Sequence, residues 1–84
     1  MTKDELIQEL TRLKINPIFY SLDGELKENA VILKKIKDNR IAVFFLERGE
    51  AINPKIFKDY DKAHHEILKL FQKELKHNSG ITIE

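Results

Sequence analysis

The apolar positions of this chain change period along its length, and the changes mark out its elements. Leu6, Ile7, Leu10 and Leu13 recur at helical spacing near the start. Ahead of them, Thr2-Lys3-Asp4-Glu5 has the form of a capping box, with Met1 and Leu6 at the two positions of a hydrophobic staple. Asn16-Pro17 closes the segment, because a residue before proline is pushed out of the α region. The pattern predicts a helix over about residues 3–14. Next comes Pro17-Ile18-Phe19-Tyr20-Ser21-Leu22-Asp23-Gly24, read as a connection whose Ile18, Phe19 and Leu22 plug the end of the core. Asp23-Gly24 forms a turn, and Tyr20 is expected half-buried with its hydroxyl in water.

The middle of the chain loses helical spacing. Ile41-Ala42-Val43-Phe44-Phe45-Leu46 is an unbroken apolar run of β-branched and aromatic types, which reads as a strand. Ala30 to Ile36 forms its hairpin partner, joined through Lys37-Asp38-Asn39-Arg40, where Asn39 is the candidate for a positive φ. If Ile36 stands opposite Ile41, then Ile32 faces Phe45 and Leu33 faces Phe44. One face then carries Ala30, Ile32, Ile36, Ile41, Val43 and Phe45. The other carries Val31, Leu33, Ala42, Phe44 and Leu46, with Lys35 near the turn. After the turn at Gly49, residues 51–57 predict a third strand, which must lie on an edge because Pro54 cannot donate to a ladder.

Helical spacing returns with Tyr60, Ala63, His64, Ile67, Leu68, Leu70, Phe71 and Leu75 on one side, behind an Asp59 N-cap. This predicts a helix over about 60–77, ended by Asn78-Ser79-Gly80, and a tail over 78–84 in which Ile81-Thr82-Ile83 either adds a short edge strand or frays, with fraying favoured. The elements give one α+β domain spanning residues 1–84, of the order α-β-β-β-α. Its strands, about 30–36, 41–47 and 51–57, form a three-stranded antiparallel meander, with two helices packed on the sheet. The Phe45 side is expected under the helices, and the Phe44 and Leu46 side free for a partner.

Composition narrows the chemistry. There are 15 Lys and Arg against 14 Asp and Glu, a formal net charge of +1, which argues against a general nucleic-acid binder. The cluster Lys34, Lys35, Lys37 and Arg40 at the hairpin tip reads as a solvated tip that blocks edge pairing. Contact with phosphate or an acidic partner is the competing reading. No cysteine is present, so disulfides and thiolate metal sites are excluded. No apolar run approaches a membrane span, Met1 to Glu5 lacks the layout of a signal peptide, and a cytoplasmic protein is expected. His64 and His65 are adjacent, and neighbouring helical residues point about 100° apart, so they cannot chelate one ion. With no nucleophile elbow and no Gly-rich phosphate loop, neither catalysis nor a cofactor or metal is expected.

Several stretches occur together in a familiar order: Tyr20-Ser21-Leu22-Asp23-Gly24, the Ala30–Leu33 strand, Val43-Phe44-Phe45-Leu46-Glu47-Arg48-Gly49, Lys55-Ile56-Phe57, and Ala63. Over roughly residues 3–75 the chain resembles the small immunity proteins encoded beside polymorphic toxins of bacteria, mostly Gram-positive ones. The aromatic strand ending in Glu-Arg-Gly is the most specific piece, and Ile41 departs from the pattern, where a large aromatic is expected. The resemblance implies a protein that neutralises a cognate toxin by binding it, without a catalytic site. The residues expected to meet that partner are Phe44, Leu46, Glu47, Arg48 and Glu50, with Tyr20 and Asp23 nearby in the alternative arrangement. Two other classes remain open: a homodimeric structural or regulatory module, and a nucleic-acid-binding accessory protein using the basic hairpin.

Overall fold

The computed structural model describes the backbone of residues 1–82 and the side chains of residues 1–75. Helix α1, Lys3–Arg12, begins with the expected capping box. The Thr2 hydroxyl accepts from the Glu5 amide at 3.1 Å, and the Thr2 amide donates to Glu5 Oε1 at 2.8 Å. The second of these bonds holds the Glu5 carboxyl below its ordinary pKa. The helix ends two residues before the expected Lys14. There the Ile15 amide donates to the Leu10 carbonyl and the Lys14 amide to the Thr11 carbonyl, each at 2.9 Å. That is a Schellman closure with Lys14 in the left-handed position, at φ 63°.

A 3-10 turn, Pro17–Phe19, leads into β1, Tyr20–Ser21. β1 pairs in parallel with β2, Ala30–Lys35, placing Tyr20 beside Val31 and Ser21 beside Ile32. β3, Ile41–Glu47, and β4, Glu50–Phe57, continue the sheet antiparallel. The sheet therefore has four strands in the order β1-β2-β3-β4, rather than three. A two-residue strand is too short to show a period, so its sequence reads as a loop. Pro54 lies on the outer strand, as expected. Phe45 pairs with Ile52 and Val43 with Lys55, so Asn53 and Pro54 together stand opposite Phe44 in a bulge, with Asn53 at φ 50°.

The β2–β3 register is one residue away from the expected one. Lys35 stands opposite Ile41, Leu33 opposite Val43, Ile32 opposite Phe44 and Val31 opposite Phe45. The hairpin connection sets this. The Ile36 amide donates to the Arg40 carbonyl at 3.0 Å, so the loop holds three residues, not four. Asp38, not Asn39, takes the positive φ of 54°. The slip sends Val31 and Leu33 to the same side as Ile41 and Val43, and leaves Ile36 exposed at the tip.

Helix α2, Tyr60–Thr82, begins where the sequence places it and continues through Asn78-Ser79-Gly80 instead of stopping there. A glycine costs a helix interior only about 1 kcal/mol, which does not by itself end one. Ile81 and Thr82 belong to this helix, while Ile83 lies outside the described residues. Both helices pack on one face of the sheet. Leu6 and Leu10 of α1 and Ala63, Ile67 and Leu68 of α2 close a core with Val31, Leu33, Ile41 and Val43. On the other face, Ala30, Ile32 and Leu46 form a smaller cluster against a half-buried Phe44. The connection from β1 to β2 passes along that face at Gly24, where a Cβ would meet Lys34 Cγ at 3.5 Å.

The face expected to be free is thus sealed at its centre, while Phe45, expected in the core, is 37% exposed. Ile32 is fully buried and should be the more sensitive of the two. Ile32→Ala should cost about 2–5 kcal/mol, a large share of a total stability of about 5–15 kcal/mol. Phe45→Ala should lower the melting temperature less, since much of its ring already meets water. Thermal denaturation of the two variants checks the order, and a larger loss for Phe45→Ala would contradict it.

Candidate functional site: an apolar cleft beside the Arg48–Gly49 turn

Three local structures converge at one end of the helix-covered face. The Schellman closure of α1 turns the chain so that Ile15 comes back against the core. Asn16 then caps the 3-10 turn, its Oδ1 accepting from the Ile18 amide at 3.0 Å, and Pro17 starts the turn with its φ already set. Phe19 follows and stays 47% exposed. From the other side come Leu70, Phe71 and Leu75 of α2, and the floor is Val31 of β2 and Phe45 of β3.

These residues, with Asn29 and Glu74, line an open cleft of about 650 Å³. The cleft exists because the helices differ in length. α1 has 10 residues, about 15 Å, and α2 has 23, about 35 Å. Leu70, Phe71 and Leu75 of α2 therefore lie past the end of α1, beside Ile15, the 3-10 turn and the sheet. Tyr20 seals the inner end, packing edge-on against Phe71 with ring centroids 6.2 Å apart. Ile52, paired with Phe45, continues the apolar surface outward on β4.

A tight turn borders the cleft. Arg48 at φ 53° and Gly49 at φ 78° form the two-residue connection between β3 and β4. Positive φ at both central positions is the type I′ arrangement, usually occupied by Asn-Gly. The Gly49 amide donates to Glu28 Oε1 at 3.3 Å, and the Asn29 amide donates to the Leu46 carbonyl at 2.7 Å. The first contact ties the turn to Glu28, and the second ties β3 to Asn29, which lines the cleft at its β2 end. Lys14, Asn29 and Arg48, three of the non-glycine residues at positive φ, thus all stand at this end of the molecule.

The sequence-expected partner residues separate into groups. Glu47, Arg48 and Glu50 are exposed together at the turn. Phe44 lies on the opposite face of the sheet, half-buried, and Leu46 beside it is buried. Tyr20 is in the core rather than half in water. Asp23 sits at the far end of β2, near Lys35, in an ion pair with Lys3. Phe19, Phe45, Leu70 and Leu75 were not among the expected site residues, yet they form the open apolar surface. The sequence signal for them is the excess length of the second helical stripe over the first.

Other side chains singled out by sequence take local roles. His64 Nδ1 bonds the Met1 carbonyl at 3.0 Å, and its ring lies against Tyr60 with centroids 5.8 Å apart. His65 Nδ1 bonds the Asp61 carbonyl at 3.0 Å. Lys34 and Lys35 point to opposite faces of β2, so the hairpin tip does not gather its cations on one surface. Among the described residues no helix is long and apolar enough to cross a membrane. Comparison of the chain with protein-family models, with curated proteins and with solved structures finds no match.

A lysine in the left-handed position that closes α1 costs stability that a glycine there avoids. Lys14→Gly should stabilise the domain by up to about 1 kcal/mol. Urea denaturation of the variant checks this, and a loss of stability would show that the Lys14 side chain supports the fold.

Proposed function

We propose that this chain is a protein-binding domain that neutralises a cognate bacterial toxin by occluding it, with the apolar cleft as its docking surface. The observation that carries the reading is one of position. The aromatic strand ending in Glu47-Arg48-Gly49, the most specific part of the resemblance to immunity proteins, also delivers Phe45 to the floor of the cleft, with the charged turn following two residues beyond it. Large apolar side chains within a charged border are the usual anatomy of a protein interface. An exposed apolar surface on so small a domain is costly to keep, and such surfaces mark interaction sites.

In this reading Phe45, Phe19, Leu70 and Leu75 are the anchors. Glu47, Arg48 and Glu50 form the polar edge, and Phe44 and Leu46 support the strand from behind. The protein acts in the cytoplasm by occlusion rather than by catalysis. A second copy of the chain is the rival occupant, because an open apolar cleft also suits a homodimer.

Co-expression tests the reading. The chain is produced with the product of the neighbouring reading frame, and host growth is measured. Phe45→Asp should abolish protection. Ile56→Asp should leave it intact, because Ile56 pairs with Ala42 and lies on the opposite face of the outer strand. A neighbouring product that is harmless, or protection that survives Phe45→Asp in a folded variant, would remove the proposal.

A further inference from the structure

The rim of the cleft carries a pairing that the fold alone does not explain. Glu47 of β3 and Glu50 of β4 are direct cross-strand partners, on the same side of the sheet as Phe45 and Ile52. Like charges directly opposite on neighbouring strands destabilise each other. Among the described residues neither carboxylate has an ion pair or a side-chain hydrogen bond. The apolar cleft thus has one unpaired carboxylate pair beside it, with Arg48 in the turn between them, although the chain as a whole has a formal net charge of +1.

Building on the reading of the cleft as a protein docking surface, we infer that its occupant is a protein segment with large apolar side chains flanked by lysine or arginine. The apolar side chains fill the space over Phe45 between Phe19 and Leu70. A cation of the partner sits between Glu47 and Glu50 and relieves their repulsion. Those two carboxylates are left facing each other in the free protein so that the complex can use them. A second copy of the chain fits less well, because a two-fold interface over this cleft would bring a second pair of the same carboxylates into it.

Two defined probes test this: an amphipathic peptide of leucine and lysine, and its counterpart of leucine and glutamate. Each is titrated into the isotope-labelled protein and followed by NMR. The lysine peptide should bind at least about tenfold more tightly than the glutamate peptide, with the largest shifts at Phe45, Leu70 and Glu47. The double variant Glu47→Lys/Glu50→Lys should reverse the preference. The single variant Glu47→Lys separates binding from folding. It makes an opposite-charge pair with Glu50, so its melting temperature should rise by about 2–4 °C while the lysine peptide binds more weakly. Equal binding of the two peptides, preference for the glutamate peptide, shifts away from the cleft, or self-association lost in Phe45→Asp would each overturn the inference. None of these readouts depends on a toxin, so a failure here is distinct from a failure of the co-expression test.

Discussion

Pairing Leu33 with Val43, and Lys35 with Ile41, decides which side chains of β2 lie under the helices. Side chains alternate along a strand, so a shift of one residue would exchange Val31 and Leu33 for Ala30 and Ile32 on that face. With the register found, the helices close over branched residues from both central strands, and the small cluster of Ala30, Ile32 and Leu46 falls on the other side. The three-residue hairpin loop fixes this choice through the bond from the Ile36 amide to the Arg40 carbonyl. The floor of the cleft follows from it, because Val31 stands beside Phe45 on the covered face only in this register.

The second determinant is the unequal reach of the two helices. α1 covers the end of the sheet that holds Ile41 and Leu33, where its Leu6 and Leu10 are fully buried. Beyond its C-terminus the chain uses a Schellman closure and a 3-10 turn to place Ile15 and Phe19, which border the uncovered region without filling it. Among the described residues nothing covers Phe45, Leu70 and Leu75, which are 37%, 36% and 40% exposed. The apolar cleft is therefore a product of where α1 stops.

Much of this architecture was legible in the sequence. Helical spacing around Leu6 and Leu10, the capping box at Thr2, the continuous apolar run of β3 and the exclusion of Pro54 from the sheet interior each rest on one strong physical rule. They give both helices, both hairpins and the helix-covered side of β3. What escaped had weaker signals. β1 is too short for a period, and the register turns on whether Arg40 belongs to the loop or to the ladder, which composition does not decide. The exposure of the Phe44 and Leu46 face differs from expectation for a related reason. The sidedness of β3 puts Phe45 with the core, but the helical cover above that face stops short of it. The turn residues Glu47, Arg48 and Glu50 were located correctly as an exposed group because Gly49 punctuates the strand.

The β2–β3 register is the claim on which the rest stands, and NMR reads it directly. Cross-strand backbone contacts between β2 and β3 report which residues stand opposite. The account predicts contacts that pair Leu33 with Val43 and Val31 with Phe45. Contacts pairing Leu33 with Phe44 and Ile32 with Phe45 would contradict it. In that case Ala30 and Ile32 would lie under the helices, and the floor of the cleft would lose Val31.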